Sequence, residues 1–405
     1  MSLSLIGKSI SESATLTLNA KAAMLREKGE PVIHLGGGEP KTKAPFDAIM
    51  AVSGLVNTGE VRYTPASGTL LLKKSIIRYT EEFYKRKVSP AEVIASSGAK
   101  QSIMVALQAI LDPQDELLFP APYWVSYPEM AKLCGAKPVP VVPKSSAFHP
   151  TIQEIESKTT AKTKAIIINS PNNPSGAMYP EEFIADIVAF SEKRGIYLIM
   201  DDIYHRLVFD GKKAANCYDY AKDLSDNSRL IVVNGVSKQY AMTGFRIGWA
   251  VANKELVKAM SDIQSHQSSG PSVITQVAAA AAINSDQTSV ESLRLNLENN
   301  LNIMIRELNS FPDIKFSKPD GTFYCFVDFS HYNKDSRALS NYLLDKVRVV
   351  TVPGYEFGVD GYLRLSTCGT VKDITEGVQR IKWALDPNST NETIIGNRKI
   401  VKDKI

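Results

Sequence analysis

A lysine shortly after a buried apolar strand, with an arginine a little further on, can hold a carbonyl compound and an anion at once. Lys238 stands in Asn234-Gly235-Val236-Ser237-Lys238, behind the apolar run Leu230 to Val233, and Arg246 closes Met242-Thr243-Gly244-Phe245-Arg246. Partial desolvation and a neighbouring cation both lower a lysine's pKa and leave an amine able to attack an aldehyde. The planar fork of Arg246 suits a phosphate. Taken alone, the pair is equally a surface lysine beside an unrelated arginine.

Three further motifs lie where a strand ends or a loop begins, the place where open α/β sheets bind ligands. In Met200-Asp201-Asp202-Ile203-Tyr204 an aspartate at a strand end could pair with a protonated ring nitrogen, and a tyrosine three residues on could bond a ring oxygen. A plain helix N-cap is the alternative for Asp201. Ser170-Pro171-Asn172-Asn173-Pro174-Ser175-Gly176 reads as a turn-rich loop. It follows a fully apolar strand, which would leave the Asn173 amide free at the sheet edge. Ser97-Gly98-Ala99-Lys100 opens a helix, and free N–H groups there favour an anion.

These motifs need elements to place them. Strand-like runs are expected at Val93 to Ser96, Glu116 to Phe119, Lys164 to Asn169, Ile196 to Met200, Leu230 to Val233 and Ile247 to Ala252. Helical patterns cover Gln101 to Leu111, Glu181 to Arg194 (ended by Gly195) and Lys254 to Ser265. Alternation of this kind predicts an α/β fold with a mostly parallel sheet covered on both faces. The pattern changes near Leu293. A helix at about Val290 to Leu308 is followed by a strand at Thr322 to Phe329, a helix at Arg337 to Lys346, strands at Val347 to Val352 and Tyr362 to Ser366, and a helix at Asp373 to Leu385. We expect a large domain over 46–293, a smaller α+β domain from 1–45 with 294–385, and a polar, loosely ordered tail over 386–405.

The bulk properties exclude several classes. Of 405 residues, 47 are basic and 43 acidic, a net charge of +4 too mild to suggest nucleic acid or an anionic membrane. No apolar run reaches the ~18 residues of a membrane span, and Met1 to Ile10 does not read as a signal peptide. Cys134, Cys217, Cys325 and Cys368 stand singly, so no disulfide framework or metal site is expected, and the cytoplasm is the simplest location.

In order and spacing, the motifs resemble the class I aminotransferases of pyridoxal-5′-phosphate (PLP) fold type I, above all the bacterial and archaeal aspartate aminotransferase branch. The resemblance rests on Ala121 to Pro128 (APYWVSYP), Ser170 to Gly176, Asp201 to Tyr204, Ser237-Lys238, Ala241 to Gly248 and Tyr362 to Ser366, and it spans about Ser13 to Leu385. It implies that Lys238 carries PLP as a Schiff base and moves the substrate proton. Asp201 is then the partner of the pyridinium nitrogen. Tyr204 and Asn173 bond the ring oxygen, and Trp124 stacks on the ring. Gly98, Ala99 and Arg246 cradle the phosphate, with Ser237 keeping a hydroxyl near it. Arg364 clamps the substrate α-carboxylate, assisted by Gly38 and Asn173. Tyr63 reaches the phosphate of a neighbouring subunit, which makes the active unit a homodimer with shared sites. Many relatives carry a hydroxyl where this chain has Gly235, so phosphate binding here would lean on backbone and Arg246. Asp202 stands where glutamate is usual, an exchange expected to change little.

The resemblance also points to a substrate. Lys100 and Thr15 fall where the aspartate-using branch binds the distal carboxylate, so aspartate with 2-oxoglutarate, in ping-pong half-reactions, is the expected pair. The plainer, less favoured alternative for Lys100 is a solvated lysine at a helix start. Aromatic amino acids, prephenate and a β-lyase reaction on the same fold remain open. A non-catalytic binding module is disfavoured by the presence of Lys238.

Overall fold

The computed structural model describes residues 3–10 and 14–402. At its centre the segment Thr163–Asn169 forms a strand buried along almost its whole length. An unbroken apolar run of this sort belongs inside a sheet covered on both faces. Seven strands make that sheet, in the spatial order Val93–Ser96, Gly248–Val251, Leu230–Gly235, Tyr197–Asp201, Thr163–Asn169, Glu116–Pro120 and Lys137–Val141. All run parallel except Gly248–Val251, which is antiparallel to both neighbours.

The register collects the chemistry at one edge. Asn169 pairs with Asp201, Asp201 with Val233, and Gly248 lies between Gly235 and Ser96. The carboxyl ends of the parallel strands and the start of the reversed one therefore meet along a single line. Helix Glu181–Arg194 illustrates how the covering layer is specified. Glu181 and Glu182 sit in its first turn, Lys193 and Arg194 in its last, and Gly195 ends it at φ 64°.

The outermost strand, Lys137–Val141, was not foreseen, because Pro138 and Pro140 argue against a strand. The structure resolves the conflict. The Lys137 amide donates to Asp115 O and Val141 O accepts from the Ala121 amide, so the odd-numbered residues face the neighbouring strand. Both prolines then turn their missing N–H toward solvent at the sheet edge.

In a second sheet Tyr362–Ser366 lies between Tyr324–Asp328 and Val352–Pro353 and is antiparallel to both. Helices Thr288–Asn309, Ser336–Val347 and Val371–Leu385 contribute to the core beside it, which includes Phe329, Leu343, Val347, Leu365 and Ile381. The single strand expected over Val347 to Val352 is two. Val349–Val350 pairs in parallel with Ile33–His34, and Val352–Pro353 pairs with Tyr362–Ser366. The chain changes partner at Thr351, whose carbonyl accepts from the Ser340 hydroxyl.

The C-terminal segment also differs from a loose tail. Glu392–Ile395 and Arg398–Val401 form an antiparallel hairpin. Gly396, at φ 61°, makes the two-residue turn with Asn397, Ile395 is buried, and Arg398 bonds Glu30 at 2.7 Å. The Gly-Asn pair between alternating residues was the available signal. Among the described residues no helix is long and apolar enough to cross a membrane.

Candidate active site

The floor of the site is Asp201, the last residue of its strand and only 4 % exposed. Its Oδ2 accepts from the Tyr127 hydroxyl at 2.6 Å, while Asn169 Nδ2 donates to its main-chain carbonyl at 2.7 Å. The other carboxylate oxygen, Oδ1, is buried without a partner. Burial is the main influence on this carboxyl and raises its pKa to about 6, against hydrogen bonds from Tyr127 and the Ile203 backbone and the charge of Lys238. A buried carboxylate oxygen left unpaired is costly unless something else satisfies it.

Lys238 reaches across the cavity and its Nζ donates to Gly38 O at 2.6 Å. Burial, with Arg364 and Arg246 nearby, lowers its pKa to about 8. An amine in that range is available both as nucleophile and as base near neutral pH. Tyr204 is buried beside it, its hydroxyl hydrogen-bonded to that of Tyr324.

The candidate anion cradle lies at the near end of the same edge. Helix Ala99–Ile110 begins after Gly98, whose φ of 95° disfavours a side chain and whose Cβ, if present, would strike the Arg246 guanidinium. Arg246 itself is left-handed at φ 54°, and its Nη1 donates to Thr243 O at 2.9 Å. Gly235, where the resemblance led to the expectation of a hydroxyl-bearing residue, has no room for a side chain. A Cβ there would lie 2.9 Å from Ile247 O and 3.0 Å from Gly248 Cα. The missing hydroxyl thus follows from the close approach of two strands.

The outer wall is built around Arg364, 3 % exposed. Its Nη1 donates to Asn173 Oδ1 at 2.8 Å and its Nη2 to Gly36 O at 3.0 Å. Its Nε is buried and unpaired, and its guanidinium lies 4.1 Å from the Tyr324 ring centre. Between wall and floor is a cavity of about 380 Å³ lined by both groups of residues.

The structure brings together Gly38, Ala99, Lys100, Trp124, Asn173, Asp201, Tyr204, Ser237, Lys238, Arg246 and Arg364 around this one cavity, with Gly98 against Arg246. Lys100 Nζ sits 4.9 Å above the Trp124 ring, and burial lowers its pKa, with Arg246 adding to the effect. Tyr63 does not join the site within one chain and is 96 % exposed. Thr15 belongs to helix Ala14–Glu27, but its side chain lies outside the described residues. The sequence reading gave no role to Tyr127, Asn169, Asn19, Glu39, Thr243 or Tyr324, yet Tyr127 holds Asp201 and the other five line the cavity. Tyr127 stood in the APYWVSYP run and Asn169 ended the most apolar strand, but nothing in a sequence shows which side chain on an edge turns inward.

The sequence profile of class I and II aminotransferases matches residues 30–381. The chain belongs to this family. The aminotransferase is similar to the aspartate aminotransferase of Bacillus subtilis (strain 168), at 36% identity over 94% of this chain and 98% of the relative. It is likewise similar to a probable aspartate/prephenate aminotransferase of Aquifex aeolicus, at 36% identity over 92% and 96%. Among solved structures, aspartate aminotransferase from Thermus thermophilus with maleate superposes with a TM-score of 0.90 at 32% identity, covering 94% of this chain and 99% of that one. The α/β fold with its mostly parallel seven-stranded sheet is that of the aspartate aminotransferase branch. The matched range contains every lining residue from Gly38 to Arg364, while Asn19 and the C-terminal hairpin fall outside it.

Proposed function

We propose that this aminotransferase uses pyridoxal 5′-phosphate to exchange an amino group between aspartate and 2-oxoglutarate, in two half-reactions sharing one cavity. The observation that carries the cofactor assignment is the buried, unpartnered Oδ1 of Asp201, a residue that lines the same cavity as Lys238. A protonated ring nitrogen would satisfy that oxygen. Arg246 with the Gly98–Ala99 helix start would hold a phosphate, Trp124 would cover a ring face, and Tyr204 and Asn173 would donate to a ring oxygen. The cofactor, when bound on Lys238, supplies an electron sink conjugated to the substrate amine. Lys238 Nζ, close to neutrality in pKa, takes the proton from the substrate Cα. Arg364 orients that carbon by gripping the α-carboxylate, for which its unpaired Nε is available.

Lys100, on the cavity wall, supports an acidic distal group, as does the maleate of the similar Thermus thermophilus structure. A second reading, with prephenate as amino acceptor, is favoured by the relatives named aspartate/prephenate aminotransferase. Tyr63 is exposed, as are Phe46, Ile49, Met50, Val61 and Leu70 in the same stretch of sequence, which supports a homodimer in which Tyr63 completes the partner's phosphate site. We divide the chain functionally into a cofactor-holding part over 46–293 and a substrate-clamping part from the N-terminal segment and 294–385.

The test is the visible spectrum of protein loaded with pyridoxal 5′-phosphate, recorded before and after aspartate, glutamate and phenylalanine. Loss of the cofactor band with the two acidic amino acids alone is expected. Loss with phenylalanine alone would overturn the acidic-substrate reading, and a protein that never acquires a band would overturn the cofactor.

A further inference from the structure

Behind the cavity floor lies a buried polar cluster that the chemistry above does not use. Tyr79 and Tyr84 come from helix Leu70–Tyr84, Asp202 and His205 from the loop after Asp201, Asn234 from the end of strand Leu230–Gly235, and Gln239 from the loop after it that carries Lys238. Tyr79, Tyr84, Asp202, Asn234 and Gln239 are all at most 4 % exposed. Buried polar groups in such numbers are tolerated only if every donor finds an acceptor.

The protons can be placed uniquely, because the backbone of Gly235 fixes both amides. Its N–H donates to Asn234 Oδ1 at 2.7 Å, and its C=O accepts from Gln239 Nε2 at 3.2 Å. Gln239 Nε2 then also donates to Asn234 Oδ1, at 3.1 Å, and Gln239 Oε1 must accept from the Tyr79 hydroxyl, at 2.9 Å. With its proton committed, Tyr79 can only accept from His205, so the contact at 3.0 Å is an Nε2–H donor. His205 Nδ1 is left bare to accept from Asn234 Nδ2 at 3.0 Å. The other Asn234 proton goes to Tyr84, at 3.1 Å, whose hydroxyl donates to Asp202 Oδ2 at 2.9 Å. The opposite tautomer would gain a bond from Nδ1–H to Asp202 O at 3.1 Å. It would also set two donors, Asn234 Nδ2 and His205 Nδ1, against each other and leave Gln239 Oε1 without the Tyr79 proton. Burial keeps His205 neutral, with a pKa of about 3, as the closed arrangement requires.

We propose that His205, Tyr79, Gln239 and Asn234 form a closed hydrogen-bonded ring whose role is to position Lys238 against Asp201 and Tyr204. The ring ties the two loops that carry the reacting groups to each other and to a helix that touches neither substrate nor cofactor. His205 follows Tyr204, Gln239 follows Lys238, and the Tyr84–Asp202 branch ends beside Asp201. A ring constrains more than an open chain, since no member can rotate without breaking two bonds. These four are positioning residues, and the role rests on Lys238 and Asp201 being the functional pair proposed above.

Two measurements test it. The first needs no substitution and no cofactor: ¹⁵N-histidine NMR of the apo protein at neutral pH should show His205 neutral with its proton on Nε2. A proton on Nδ1 would overturn the ring. The second compares Tyr79→Phe, Gln239→Leu and the double variant, loaded with pyridoxal 5′-phosphate. Each single change should lower kcat on the order of tenfold with KM nearly unchanged and shift the pH midpoint of the cofactor's visible band. The double variant should match either single one, because one break opens the ring. Wild-type kcat and band midpoint in a folded Tyr79→Phe variant, or additive losses in the double variant, would sink the ring while leaving the cofactor assignment standing. A wild-type protein without any cofactor band would instead sink that assignment and leave the NMR result untouched.

Discussion

The cavity floor hangs from the ends of hydrogen-bonded strands, whereas the outer wall is carried by the Gly36–Glu39 segment and two strands of the smaller sheet. On the floor, Asn169 and Tyr127 are each bonded to Asp201, and of its carboxylate oxygens Oδ1 has no partner. The wall is bonded largely across the cavity, through Arg364 to Asn173, Lys238 to Gly38, Tyr204 to Tyr324 and Thr243 to Glu39. The contrast teaches where effects should fall. Groups fixed before substrate arrives lower the barrier without reorganising, so losing them costs rate. Groups that exchange a protein partner for a substrate set binding.

The largest break comes at the floor. Lys238→Ala should reduce transamination with aspartate on the order of 10⁴-fold, because on the proposed reading it removes both the covalent attachment and the base. Pre-steady-state mixing with aspartate measures it, and a loss below about tenfold would mean that another group moves the proton. On the wall, Arg364→Lys keeps the charge and removes the fork. KM for aspartate should rise by ~10- to 100-fold, with kcat reduced far less. Equal losses in kcat and kcat/KM would move Arg364 to the floor's side of the comparison. Lys100→Met sharpens the wall further. It should lower kcat/KM for aspartate about tenfold and leave phenylalanine unaffected, since only one has a distal charge for Lys100 to meet. Parallel losses for both would assign Lys100 to the phosphate end beside Arg246.

The same division governs what was legible in the sequence. The floor residues sit at fixed offsets from apolar strands, so Asp201, Lys238 and Asn173 could be placed from the runs before them. The strand registers then confirmed that Asn169, Asp201 and Gly235 share one edge. The wall depends on contacts between distant segments. Neither the stacking of Tyr324 on Arg364 nor the Gly36 carbonyl that holds the guanidinium follows from any local pattern. The Lys137–Val141 strand was hidden because its edge position, which excuses two prolines, is a property of the finished sheet. The hairpin at 392–401 was legible and was outweighed by the polarity around it.

The smallest effect sharpens the comparison through stability. His34, on the wall side, bonds Asn19 at 2.7 Å and is pressed to a pKa of about 4, first by burial and then by Arg26, with Lys41 and Arg364 adding to it. In the unfolded chain it titrates near its ordinary 6.5. Between those values the unfolded state binds the proton and the folded state does not. Its contribution is therefore fully present above about pH 6.5 and is lost as pH falls toward 4. The floor carboxyls act in the opposite sense. Burial raises Asp201 to about 6 and Asp202 to about 7, so both favour the folded state as pH falls through those values. His34→Gln can keep a donor toward Asn19 while abolishing the titration. Thermal unfolding of apo protein at pH 7.5 and pH 5 should show a smaller acid-induced drop in Tm for this variant than for the wild type, by a few degrees. Because the carboxyls are common to both proteins, their opposing trend cancels in that difference. An identical drop in both would mean that His34 is free to take up a proton in the folded protein, and that the wall yields to charge as readily as it does to substrate.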